Sequence, residues 1–145
     1  MNLSHYPFVA NVEFIDFEFV SEGPKGHILK VVRFTELEKD LFNLGFGDKD
    51  LITGYVDDQV VSNNRDEKKI FATIASITQL FLERFPTVSI TGKGSTQSRT
   101  RLYKIQLSIN LELIRNDFLL FGLVDDRWEE FDKDHQYQAF LVRRK

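Results

Sequence analysis

The stretch that decides the architecture is Ile70-Phe71-Ala72-Thr73-Ile74-Ala75-Ser76-Ile77-Thr78-Gln79-Leu80-Phe81-Leu82-Glu83-Arg84-Phe85-Pro86. Ile70, Ile74, Ile77, Phe81 and Phe85 recur at spacings of four, three, four and four, the period of one apolar face on an α-helix. Ser62-Asn63-Asn64-Arg65-Asp66 supplies capping-type residues before it. Pro86 closes it, because the residue before a proline is pushed out of the α region. Such a helix must lay its stripe on an apolar surface, and the flanking segments supply strands.

Upstream, Phe14 to Phe19 alternates, with Ile15, Phe17 and Phe19 against Asp16 and Glu18, the period of a half-buried strand. Ser21-Glu22-Gly23-Pro24-Lys25-Gly26 is turn chemistry, with Pro24 fixing φ and the two glycines free to take positive φ. A returning strand is expected over His27 to Phe34, another over Phe42 to Gly47, and a weaker one over Ile52 to Val61. This first third reads as an antiparallel meander. Downstream, Thr87 to Thr91 is a short β-branched strand, broken by Gly92-Lys93-Gly94-Ser95-Thr96. Phe118 to Val124 and Tyr137 to Val142 close the chain as strands, joined by an acidic connection around Trp128.

The segment between is ambiguous. Every odd residue from Tyr103 to Leu113 is apolar, which favours a strand, yet Leu102, Ile105, Ile109 and Leu113 also form a helical stripe. Ser95 or Thr96 offers an N-cap and the segment reaches Asn116, too long for a typical strand, so a second helix is expected. The fold class is α+β in one domain over residues 1–145. The order β-β-β-α-β-α-β-β implies a mainly antiparallel sheet with the two helices packed on one face.

The chain has 145 residues, net charge −3 and no cysteine, and 42% of its residues are hydrophobic. At this length roughly 69% of the unfolded surface can be buried, enough for a core without disulfide or metal staples. Thiolate zinc sites and cysteine nucleophiles are excluded, and a reducing cytoplasm suits the composition. Met1 to Pro7 carries no basic segment followed by an apolar one, and no apolar run approaches the ~20 residues of a membrane span. A soluble, untargeted, cytoplasmic protein that engages no membrane is therefore expected.

Charge is unevenly spread. Residues 87–111 carry four basic side chains and no acidic one, against a chain that is acidic overall. Lys93, Arg99, Arg101 and Lys104 stand where a strand gives way to a glycine loop and a helix start. There unpaired N–H groups and the positive end of the macrodipole favour an anion. Gly92 and Gly94 let the backbone approach closely, Ser95 and Thr96 add hydroxyls, and Arg99 or Arg101 offers bidentate pairing to phosphate. The expected anion-binding set is Lys93, Gly94, Ser95, Thr96, Arg99, Arg101, Tyr103 and Lys104. Taking Leu102 as the apolar centre at about 100° per residue, Arg99 and Tyr103 fall at a core edge and Arg101, Lys104 and Ser108 on the opposite, solvent flank. The plainer alternative is that Ser95 or Thr96 only caps the helix while Arg99 pairs with Asp48 or Asp66. The string is neither a Walker A loop nor a dinucleotide fingerprint.

Other chemistry is thinly represented. His5, His27 and His135 stand alone, with no spacing that puts two imidazoles on one metal. Asp125, Asp126, Glu129, Glu130, Asp132 and Asp134 lack the glycine and terminal glutamate of a calcium loop. No Gly-x-Ser-x-Gly elbow is present. Asp48 and Asp66 are candidate general bases for which capping and turn roles compete. The 14 phenylalanines mostly have core periodicity. No cofactor and no metal is expected.

Several strings together resemble an uncharacterised family of small bacterial proteins, a domain of unknown function common in Bacteroidetes. They are Phe17-Glu18-Phe19 with Ser21, Gly23-Pro24-Lys25-Gly26, Asn43-Leu44-Gly45-Phe46-Gly47-Asp48, Ser62-Asn63-Asn64 with Asp66, and Gly94-Ser95-Thr96 followed by Arg99-Thr100-Arg101-Leu102-Tyr103. In that pattern a glycine usually follows the two asparagines. Arg65 stands there in this chain, which argues against a positive-φ turn at that point. The resemblance implies a single domain of bacterial, cytoplasmic type and carries no activity.

The leading expectation is a binding or regulatory domain taking a phosphate-bearing ligand, a nucleotide or nucleic acid, on residues 92–104. Two alternatives stand beside it. One is a toxin-type enzyme on a phosphorylated or nucleic-acid substrate, with Arg99 and Tyr103 near Asp48 or Asp66. The other is an interaction module without a small-molecule site, such as a homodimer, marked by an exposed apolar patch.

Overall fold

The computed structural model describes residues 4–54, 56–57 and 64–145. Its described elements are β1 (Val9–Ala10), β2 (Asp16–Gly23), β3 (Gly26–Glu38), β4 (Leu41–Lys49), β5 (Val56–Asp57), α1 (Glu67–Arg84), β6 (Ser89–Gly92), α2 (Gln97–Ile109), α3 (Leu111–Asp117), β7 (Phe118–Val124), β8 (Arg127–Glu130) and β9 (Ala139–Arg144). The fold is α+β with mainly antiparallel strand pairing. The chain gathers into two compact units, Asn2–Thr35 with Gly45–Phe81, and Glu36–Leu44 with Leu82–Lys145.

In the first unit β2 pairs with β1 and β3 in antiparallel register, with Phe17 opposite Val32 and Phe19 opposite Lys30. The alternation in β2 buries Phe17, Phe19 and Ser21. The β2–β3 turn takes its left-handed residue at Gly26, φ 86°. Gly23 serves by closeness instead, since a Cβ there would sit 2.0 Å from the Asn64 carbonyl oxygen. The stripe of α1 is buried as its spacing demands: Ile77 and Phe81 have no exposed surface, and Phe81 stacks on Phe34 at 4.0 Å. Burying side chains of this size stabilises the fold by about 1.5–3 kcal/mol each. Lys30, 3% exposed, occupies a core position and is neutralised there by Asp48, with its ammonium 5.6 Å from the Phe46 ring centroid.

In the second unit the start of β4 pairs with β6 in parallel, Phe42 opposite Ile90. A parallel pair needs a long crossover, and α1 lies in the intervening chain. β9 then pairs with both β6 and β7, and β7 with β8, all antiparallel. Leu111 and Ile114 of α3 are buried.

The structure departs from expectation in several places, beginning with the short strand β1 at Val9–Ala10, which no expected element anticipated. Strand character over Ile52 to Val61 is displaced by a turn: Asp50 Oδ1 accepts the amides of Ile52 and Thr53 at 2.8 and 2.9 Å, which leaves Val56–Asp57 as strand, while residues 55 and 58–61 lie outside the described set. The two amide bonds also hold the Asp50 carboxyl below its usual pKa. The acidic connection folds as β8. Asp125 and Asp126 take φ of 50° and 60°, the mirror-image two-residue turn that matches the twist of paired strands. The second helix divides at Asn110, φ −102° and ψ 14°, whose side chain bonds the Gln106 carbonyl at 2.9 Å in competition with the helix ladder. Arg65 does take positive φ, 59°, at a cost near 1–2 kcal/mol that glycine would not incur.

Candidate functional site

Strand β6 ends at Gly92, and the next four residues fold back on the first turn of α2. Thr96 is the N-cap, its hydroxyl accepting the Arg99 amide at 3.2 Å. The Gly94 amide donates to Thr100 Oγ1 at 3.0 Å, and the Thr100 hydroxyl donates to the Thr96 carbonyl at 3.2 Å. Gly94 is buried so tightly that a Cβ would lie 2.4 Å from the Thr100 nitrogen. Only glycine fits this fold-back.

These bonds sort the eight expected residues. The amides of Gly94, Arg99 and Thr100 are spent on the protein's own oxygens, so the expected backbone cradle is partly closed and Thr96 is a cap. Arg99 is half-buried and donates from Nη1 to Ser95 Oγ at 2.8 Å, which fastens the loop to the helix. Tyr103 lies inward, where burial pushes its hydroxyl pKa up while the Arg99 charge pulls it down. Lys93 and Arg101 are exposed and Lys104 half-buried, and none of the ion pairs among the described residues involves them. No acidic residue occupies the first turn of α2, so its positive pole is uncompensated.

Leu102 was expected at the core and lies outside it. Leu102 is 53%, Ile105 46%, Ile109 65% and Leu113 42% exposed, whereas the buried residue of α2 is Thr100. At about 100° per residue Thr100 stands roughly 140–180° away from Leu102, Ile105 and Ile109. The inward face runs through Thr100, Tyr103 and Leu107, so the packing of both helices through their apolar stripes holds for α1 and fails for α2. Arg101 and Lys104 still meet solvent, because they border a stripe that itself faces out. A period-two apolar pattern carried the signal: wound into a helix, it puts apolar residues on both sides.

The acids proposed as partners for Arg99 have other commitments. Asp48 pairs with Lys30, and Asp66 Oδ2 accepts the hydroxyls of Tyr6 and Ser21, each at 2.6 Å. Ser21 in turn accepts from Asn64 Nδ2 at 3.1 Å, and Asn64 Oδ1 accepts the Lys25 amide at 2.7 Å. This network ties the Gly23–Gly26 turn to the start of α1, a structural use for two of the strings singled out above. A groove of about 900 Å³ in the second unit is lined by Ile109, Glu112, Arg115, Phe131 and Asp132 among others, and by none of the eight. Among the described residues no cluster of three or more His, Asp or Glu side chains is arranged to hold a metal, and no helix is long and apolar enough to cross a membrane.

Over residues 2–145 the chain matches the model of a family of unknown function, DUF6934, and it belongs to that family. No curated protein and no solved structure matches it.

Proposed function

We propose that the protein is a bacterial, cytoplasmic binding or regulatory domain that holds a phosphate-bearing ligand, a nucleotide or nucleic acid, against the start of α2. The observation that carries this reading is the trio Lys93, Arg101 and Lys104: three cations without a carboxylate partner among the described residues, beside an uncompensated helix pole, in a chain of net charge −3. With the amides of Gly94 and Arg99 already bonded, the side chains supply the attraction and the fold-back loop supplies a rigid base. The enzymatic alternative needs Asp48 or Asp66 beside Arg99 and Tyr103, and both acids are committed to other partners.

The test is fluorescence polarisation with a labelled single-stranded oligonucleotide, competed by ATP and by inorganic phosphate over a salt series. Binding should weaken steeply with salt, and each of Lys93→Ala, Arg101→Ala and Lys104→Ala should reduce the log–log slope by about 0.7. Absence of salt-sensitive binding, or binding unchanged in the triple variant, rejects the reading.

A further inference from the structure

The outward stripe of α2 sets a separate question, because a monomer gains nothing by exposing three branched aliphatic residues in a row on one helix. Leu102, Ile105 and Ile109 are each about half or more exposed and lie within about 60° of one another around the axis. The helical track continues past the break: the Asn110 amide still bonds the Gln106 carbonyl at 3.2 Å, and the Ile114 amide bonds the Asn110 carbonyl at 3.0 Å. Leu113, 42% exposed, extends the stripe onto α3.

The charges around the stripe are arranged end to end. Arg101 and Lys104 flank its N-terminal half. Glu112, exposed and in none of the ion pairs among the described residues, stands at its C-terminal end on the same flank as Arg101, about 20° away around the axis. The two cations run against the dipole at the start of α2, while Glu112, in the first turn of α3, is an acid that none of those ion pairs neutralises. A partner complementary to both must bring negative charge to the N-terminal half of the stripe and positive charge to Glu112. An anionic bilayer meets the first demand and fails the second. A reversed copy of the same helix meets both.

We propose that this face is an interface between two copies of the chain, paired antiparallel through α2 about a twofold axis passing between Ile105 and Ile109. Ile105 of each copy packs on Ile109 of the other. Arg101 and Glu112 lie six and five residues from that axis, or about 9 and 7.5 Å along the helix at 1.5 Å per residue. In a twofold antiparallel pair each flank meets its own reverse, so Arg101 of one copy faces Glu112 of the other. The contact is isologous and closes at two, and the charges fix its orientation as flanking charges do in helix pairs. The pairing does not rest on phosphate binding.

Sedimentation velocity over a concentration series at low salt tests it. The expected result is a dimer of twice 17.0 kDa. Ile105→Asp and Ile109→Asp should each weaken association by at least about tenfold with circular dichroism unchanged, since both sites are open to water. Arg101→Glu and Glu112→Arg should each weaken it, and the double variant should restore it, a rescue that no foreign partner produces. A monomer at every concentration, a dimer indifferent to these substitutions, or a monomer that uses the stripe to bind anionic-lipid vesicles overturns the proposal. A monomer that keeps salt-sensitive phosphate binding leaves the anion site standing without the pair, and a dimer blind to phosphate does the reverse.

Discussion

Helices α1 and α2 carry apolar stripes that look alike in sequence and meet opposite fates. Ile70, Ile74, Ile77, Phe81 and Phe85 follow one helical period, and that face turns inward, with Ile77 and Phe81 fully buried and Ile70, Ile74 and Phe85 half-buried. In α2 the stripe Leu102, Ile105, Ile109 competes with a second apolar row through Tyr103 and Leu107. The inner row is the one anchored by the loop: Thr100, beside it, takes the Gly94 amide. Fixing that bond turns the other row to water. Both rows are apolar, so hydrophobicity does not by itself say which faces inward, and the Gly94–Thr100 bond lies on the side that is buried.

The sharpest way to break this contrast is truncation. Phe81→Ala should lower the unfolding free energy by about 3–5 kcal/mol, while Ile109→Ala, measured in dilute solution, should stay within about 0.5 kcal/mol. Urea unfolding of both variants decides it, and equal losses would mean that α2 is packed through its stripe after all. Next in size are the threonines by which each helix holds a loop or terminal segment. Thr73 Oγ1 accepts the Tyr6 amide at 2.9 Å as Thr100 Oγ1 accepts that of Gly94 at 3.0 Å. Thr73→Val and Thr100→Val should each cost about 1–3 kcal/mol, because a buried amide is left unpaired. Thr100→Val should also loosen the base of the anion site and weaken oligonucleotide binding, which Thr73→Val should spare.

The smallest effect lies outside both helices and serves as their control. His135 Nδ1 sits 2.7 Å from Glu129 Oε1, and that bond raises the imidazole pKa while it lowers the carboxyl's. The raised His135 value makes its contribution full below the ordinary value of 6.5 and lost as pH rises through the folded value. Glu129's contribution is present above the ordinary 4.5 and lost as pH falls through its lowered value. The pair therefore helps most in mildly acidic solution. NMR titration should place the His135 midpoint above 6.5, and Glu129→Gln should move it back toward that value while Asp132 and Asp134 still hold it up.

Strands β2, β3, β4, β6, β7 and β9 and helix α1 were legible because each carries a clear apolar pattern beside a boundary signal, whereas the two-residue β1 carries neither. The Gly23–Gly26 turn, the Pro86 stop and the β7 strand all fall where the residues put them. Legibility failed where a local hydrogen bond outbid periodicity: at Asp50, whose carboxylate nucleates a turn inside an expected strand, and at Asn110, which divides the second helix. It failed again at Asp125-Asp126, where no glycine marks the mirror-image turn. For the site, the basic residues and their solvent flank were visible in the charge pattern, while the spent amides of Gly94 and Arg99 were not, because they depend on a fold-back that a missing Cβ permits without announcing.

The two-sided apolar character of α2 has a consequence for handling the protein. Ile105 to Leu113 reads Ile-Gln-Leu-Ser-Ile-Asn-Leu-Glu-Leu, with one charge, no proline and perfect alternation, the composition of a cross-β segment. While coiled, its two rows point apart; once melted, they lie on one side of an extended chain. Heating into the range where this helix frays should seed thioflavin-positive fibrils, and a lysine at position 107 or 109 would act as gatekeeper.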